Sequence, residues 1–155
     1  RLTTETAIAR LRFEQLSPQL YRVYIINPAQ QALSYDLRGD EWQLDARVLK
    51  WHGLATLMGL DTGYRLDRLS GRYRDISQDR QSPRTVHSLH ERTGLDIWSL
   101  AYKHKRALPW VDAIYGSATY MPMADKAEFN VTISSSGLIT RPANDIARQV
   151  TQEWQ

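Results

Sequence analysis

The sequence predicts an α+β fold: a predominantly antiparallel, curved β-sheet or partly closed β-barrel with two or three helices, the last a C-terminal docking helix. Three observations predict it. Two alternating runs, with Leu33, Tyr35 and Leu37 on one side and Trp42, Leu44, Ala46 and Val48 on the other, flank Gly39-Asp40, as the two-residue period of strands joined by a hairpin turn requires. Five Trp and eight Tyr against two Phe give most large aromatics a polar edge, which suits strands, rims and clefts, and each buried one then needs a hydrogen-bond partner or a wet edge. Helical spacing is confined to a few short segments, most clearly Asn144 to Trp154.

The first strand is read from Ala9, Leu11 and Phe13 alternating with Arg10, Arg12 and Glu14, up to a break at Ser17-Pro18. Tyr21 to Ile26 is the second and ends at Asn27-Pro28; with the two runs around Gly39-Asp40 this makes a four-strand meander over residues 7–51. The glycine-bounded stretch Gly53 to Gly63 reads as a single helical turn around Leu54, Leu57 and Met58 that plugs one end of the sheet. Tyr64 to Ile76 is a fifth strand, in which Gly71 marks a bulge or a close backbone approach. Gln78 to Pro83 reads as a polar loop and Thr85 to Leu89 as a short sixth strand. Leu95, Trp98 and Tyr102 recur at helical spacing before Lys103, Lys105 and Arg106, where cations favour a helix C-terminus. Trp110 to Tyr115 precedes a break at Gly116-Ser117, then strands at Ala118 to Met121, Glu128 to Ile133 and Leu138 to Thr140, the last two joined by a Ser134-to-Gly137 turn. Ile146, Val150 and Trp154 fall at i, i+4 and i+8 behind a capping Asn144.

A chain of 155 residues with 42% hydrophobic content supports one sizeable core and one domain. The absence of cysteine excludes disulfides, thiol catalysis and cysteine-ligated zinc. The sequence contains no apolar run near membrane-spanning length and no signal-peptide pattern at Arg1, and it opens without methionine, so it reads as a soluble domain excised from a longer protein.

Arg38-Gly39-Asp40 spells an adhesion tripeptide, but Gly-Asp between alternating runs is explained by turn chemistry. His87, His90 and Glu91 would supply metal ligands only on a helix, whereas Val86, Ser88 and His90 alternate as in a strand, which separates the two histidines; no metal or other cofactor is expected. No Gly-x-Ser-x-Gly elbow surrounds Ser134 to Ser136, and no pair among the 17 acids stands out for glycosidic chemistry. No catalytic residue is therefore assigned, and a hydrolase built on His87, Asp67 and an unidentified nucleophile is the weakest reading. Arg65 to Arg84 holds six arginines against three aspartates. Arg68, Arg72 and Arg74, with Tyr73 among them, are the candidate ligand-binding residues, suited to a phosphate or carboxylate head group if they share one face; surface ion pairs with the interleaved aspartates explain the same residues. Only Tyr64 and Tyr73 interleave with this charge, so nucleic acid is not expected as a partner. The small residues of Tyr115-Gly-Ser-Ala-Thr-Tyr-Met-Pro-Met123 suit close packing or a ligand-lined pocket.

Three strings, Leu37-Arg-Gly-Asp-Glu-Trp-Gln-Leu-Asp-Ala-Arg47, Gly63-Tyr-Arg-Leu-Asp-Arg-Leu-Ser-Gly-Arg-Tyr73 and Val111-Asp-Ala-Ile-Tyr-Gly-Ser-Ala-Thr-Tyr-Met-Pro-Met-Ala-Asp125, with Ser136-Gly-Leu-Ile-Thr-Arg-Pro142, resemble a family of gammaproteobacterial membrane proteins often labelled cation or multidrug efflux pumps. The resemblance implies an N-terminal membrane region followed by this soluble domain, and no defined activity; the expected location is the bacterial inner membrane, and the expectation for the domain, apart from the resemblance, is that it faces the periplasm. A pump needs spanning helices that carry polar groups, and this stretch of chain has none. The expectation is a membrane-tethered, non-enzymatic module that binds a partner protein or organises an envelope complex. The alternative is a domain that carries or senses an amphipathic ligand, its tail in a barrel mouth and its anionic head near Arg68, Arg72 or Arg74.

Overall fold

The computed structural model describes residues 5–51, 63–89, 111–134 and 136–154. In chain order these form β1 (Thr6–Ser17), β2 (Leu20–Ile26), β3 (Ala32–Arg38), β4 (Glu41–Trp51), β5 (Gly63–Arg72), α1 (Ile76–Gln81), β6 (Val86–Ser88), β7 (Val111–Pro122), β8 (Glu128–Ser134), β9 (Gly137–Pro142) and α2 (Asp145–Trp154). The strands make two antiparallel sheets, ordered β3-β2-β1-β8-β9 and β6-β5-β4-β7. The α+β, β-rich class holds. The helical turn expected around Leu54, Leu57 and Met58 and the helix expected over Leu95 to His104 lie outside the described residues.

The hairpin at Gly39-Asp40 does not form. β3 pairs with β2, whereas β4 pairs with β5 and β7, so Gly39-Asp40 is the corner at which the chain leaves one sheet for the other. Alternation reports which face of a strand is buried, and two strands facing the same core from opposite sheets alternate as two hairpin partners do. The corner needs glycine: Gly39 has φ 135° and a Cβ there would stand 2.4 Å from the Arg72 carbonyl oxygen. Asp40 N–H donates to that same carbonyl and Met123 N–H to the Asp40 carbonyl, at 2.9 and 2.8 Å.

The sheets also do not close into a barrel. At one edge Thr85 Oγ1 accepts from Arg38 N–H and His87 Nε2 donates to the Asp36 carbonyl, both at 2.9 Å. At the other, Thr119 and Thr140 share a 2.8 Å hydroxyl hydrogen bond and Ser117 Oγ accepts from Leu138 N–H at 3.0 Å. Side chains, not a backbone ladder, join the sheets along these seams.

Between the sheets, Trp42 from β4 lies against Phe129 of β8 and Phe13 of β1, with ring centroids 5.5 and 6.1 Å away. Leu11, Val23, Leu37, Leu44, Val48, Leu69 and Val131 are buried around them, each contributing about 1.5–3 kcal/mol of transfer free energy. The Trp42 indole N–H has no acceptor among the described residues, contrary to the expectation that every buried aromatic with a polar edge finds a partner.

Three local expectations are corrected. Gln78 to Pro83 is not a loop throughout, because Asp75 Oδ1 accepts from Gln78 N–H at 3.0 Å and caps the six-residue α1. Gly116-Ser117 does not break the strand: both pair with β4, opposite Arg47 and Ala46, within continuous β7. The bulge in β5 falls at Asp67, where Arg68 opposes Asp45 and Leu66 opposes Ala46. Gly71 is the close approach, a Cβ there lying 2.1 Å from the Arg38 carbonyl oxygen. The α2 helix forms as expected, its cap Asn144 Oδ1 accepting from Ala147 N–H at 2.9 Å. Its most buried position is Ala147 and not Ile146, which is 38% exposed, so its docked stripe runs through Ala147, Val150, Thr151 and Trp154.

Candidate functional site

The Gly39-Asp40 corner, the turn after β5, the end of β7 and the last turns of α2 meet around a cleft of 620 Å³ lined by Tyr21, Asp40, Glu41, Arg74, Asp75, Pro122, Met123, Val150, Glu153 and Trp154. Each side chain is there for a local reason. Asp40 and Glu41 follow the corner glycine, Asp75 is the α1 cap, and Trp154 ends the docked stripe of α2. Pro122 and Met123 close β7 and form part of the floor, with Met123 reaching the core.

Four carboxylates face one guanidinium in this cleft, in a chain whose formal net charge is +3. Glu41 is only 4% exposed; its Oε1 lies 3.5 Å from Arg72 Nε and its Oε2 accepts from the Trp154 indole N–H. A cation and an indole donor thus take the place of water around this buried carboxylate. Arg72 also stacks over the Tyr120 ring at 4.5 Å, and Tyr120 meets Trp154 edge-on at 5.7 Å. Asp40 Oδ1 accepts from Gln19 Nε2 at 2.9 Å and Oδ2 from Arg74 N–H at 3.1 Å. Burial pushes the Tyr21 phenol above its ordinary pKa, and the Asp40 and Asp125 carboxylates add to that rise. Asp75 and Glu153 are exposed on the rim.

The four candidate ligand residues do not converge. Arg68 and Arg72 both point from the outer face of the β6-β5-β4-β7 sheet, four residues and so about 13 Å apart along a strand. Arg68 lies 3.9 Å from Asp67, and Arg72 is engaged with Glu41 and Tyr120 as above. Tyr73 is buried, its N–H donating to Asp79 Oδ1 at 3.0 Å. Arg74 reaches the cleft, but its guanidinium donates to the Trp154 carbonyl and its surroundings are acidic. An anionic head group entering there would meet Asp40, Asp75 and Glu153.

His87 lies tilted against the Tyr35 ring, centroids 4.9 Å apart, and its Nε2 is committed to the Asp36 carbonyl. Among the described residues, no three His, Asp or Glu side chains are grouped to hold a metal ion; His90 and Glu91 lie outside those residues. Ser134 is buried with its Oγ accepting from Ser136 N–H at 3.1 Å.

The cleft residues Asp40, Glu41, Glu153, Tyr21 and Trp154 escape sequence reasoning because they come from separate strands and a helix. Asp75 alone carried a local signal, since Asp75-Ile-Ser-Gln78 has the spacing of a capping box. No protein-family model, curated protein or solved structure matches the chain. Among the described residues no helix is long and apolar enough to cross a membrane.

Proposed function

We propose that this domain is a non-enzymatic binding module, tethered to the bacterial inner membrane through a region preceding it and facing the envelope, which docks a basic segment of a partner protein. The carrying observation is the 620 Å³ cleft that sets carboxylates beside the rings of Tyr21 and Trp154 in a chain of opposite net sign. Carboxylates next to aromatic faces suit the ammonium or guanidinium of a Lys or Arg, whose aliphatic stem packs on the ring and on Met123 and Val150. The membrane tether is carried over from the family resemblance. An amphipathic ligand between the sheets draws no support from the interior, where Trp42, Phe13 and Phe129 fill the space at mid-height.

The test is a titration of the labelled domain with an octalysine peptide, read at the Trp154 indole resonance, assigned with Trp154→Phe. Asp75→Asn with Glu153→Gln removes two rim charges while keeping an equally good helix cap and a side-chain partner for Gln149. The expected outcome is a saturable shift for octalysine, none for octaglutamate, and roughly tenfold weaker binding in the double variant. Binding that is indifferent to the double variant, or a response to octaglutamate, overturns the reading.

A further inference from the structure

Among the described residues, the outer edge of β3 is engaged at one end and unpaired at the other. Strand parity follows from the seam: Arg38 N–H and the Asp36 carbonyl point away from β2, toward Thr85 and His87. Ser34 and Ala32, two and four residues before Asp36, therefore turn their own N–H and C=O groups to the same edge. No described residue pairs with that edge at Ala32–Ser34. Edge strands are ordinarily protected by lysine, proline, bulges or a covering element. Thr85 and His87 are such a cover for Asp36 and Arg38, whereas Ala32-Leu33-Ser34 holds no lysine, proline or bulge and has no covering element among the described residues, and Leu33 is 60% exposed.

We infer that this edge pairs with the same edge of a second copy of the chain, as an antiparallel two-stranded contact with its two-fold axis at Leu33. The register is dictated by the groups that are open. Ala32 of one copy faces Ser34 of the other, each exchanging N–H and C=O, and the two Leu33 side chains meet across the axis. A register centred one residue later would set Ala32 against Asp36, whose carbonyl is already taken by His87. The chosen register brings no charged side chains into opposition, because the paired residues are Ala, Leu and Ser. Extension of the five-stranded sheet through this seam makes an isologous, closed dimer that leaves no further edge of the same kind exposed. The contact is small, so its strength in solution is expected at roughly 0.1–1 mM, and tethering two copies to one membrane raises their effective concentration into that range. This surface is independent of the Asp40–Trp154 cleft.

Leu33 opposite Leu33 is a non-hydrogen-bonded pair, with Cα atoms about 4.5 Å apart, inside the span of a disulfide. The chain contains no cysteine, so Leu33→Cys is a clean reporter. Under mild oxidation Leu33→Cys is expected to give disulfide-linked dimer at least tenfold faster than Leu16→Cys, an exposed apolar position elsewhere in the fold. In sedimentation equilibrium the unmodified protein shows a reversible monomer–dimer equilibrium. Ser34→Pro, which removes an edge-facing N–H without touching the ladder to β2, weakens it at least tenfold, and Leu33→Glu, which sets two like charges across the axis, does the same. A monomer up to 1 mM, equal oxidation rates for the two cysteine variants, or a dimer indifferent to both Ser34→Pro and Leu33→Glu each overturns the inference. The cysteine comparison stands even if Ser34→Pro fails to fold.

Discussion

Gly71 and Gly116 both sit in strands of the same sheet, and their environments could hardly differ more. A Cβ on Gly71 would stand 2.1 Å from the Arg38 carbonyl oxygen and 3.0 Å from Thr85 Oγ1, whereas one on Gly116 meets nothing within 4 Å. Gly71→Ala must push two chain segments apart at the inter-sheet seam and is expected to cost about 2 kcal/mol or more. Gly116→Ala removes unfolded-state freedom without a clash and is expected to stabilise by about 0.4–1 kcal/mol. Urea unfolding midpoints of the two variants check both signs. The Gly71 position was legible as a bulge or a close approach, but which of the two depended on Arg38, distant in sequence. Glu5 supplies the pH-dependent case. Its carboxylate takes two hydrogen bonds from the Arg141 guanidinium, at 2.7 and 2.8 Å, and one from Thr132. The hydrogen bonding to Arg141, and then its charge, hold the Glu5 carboxyl below the ordinary 4.5. A folded-state value below the unfolded one means that the contribution is complete above the ordinary value and is lost as pH falls through the depressed one. A carboxyl-carbon NMR titration should place the Glu5 midpoint below 4.5, and Arg141→Gln should move it upward.

At the scale of elements, α2 is the clearest success of local reasoning and also shows its boundary. Asn144 was identifiable as a cap, and it does more than cap: its Oδ1 also accepts from Glu128 N–H at 3.2 Å and its Nδ2 donates to the Lys126 carbonyl at 2.7 Å. Asn144→Ala is therefore expected to cost about 1–2 kcal/mol, at the upper end for a cap, as measured by thermal or urea unfolding. The helical spacing of Ile146, Val150 and Trp154 was real, yet the docked face is rotated toward Ala147 and Thr151. Periodicity locates an apolar stripe within a turn of the helix, and the shape of what it docks against decides which side chains go under. α1 was missed because one isoleucine, Ile76, followed by five polar residues shows no apolar period; only the Asp75 cap betrays it.

Among the described residues, an aromatic cluster and two side-chain seams hold the two sheets together. The Thr119–Thr140 hydroxyl pair tests the seam directly, because both residues are half-buried and belong to different sheets. Thr119→Val strands the Thr140 hydroxyl and is expected to cost about 1–2 kcal/mol, whereas Thr119→Val with Thr140→Val recovers part of that loss; a double-mutant cycle by urea unfolding measures the coupling. From the sequence alone came the β-rich α+β class, the inward faces of β1 and β4, the bulge-or-close-approach reading of Gly71 and the terminal helix with its cap. These are set by chemistry within a few residues: alternation, turn propensity and capping. The tertiary structure alone decided that β3 and β4 part company at Gly39, that the sheets face each other without closing, that Arg68, Arg72 and Arg74 go to different surroundings, and that Asp40, Glu41, Asp75 and Glu153 gather around Trp154. Alternation records that a face is buried without recording against what, so strand partners and clefts assembled from distant segments are settled only when the sheets pack.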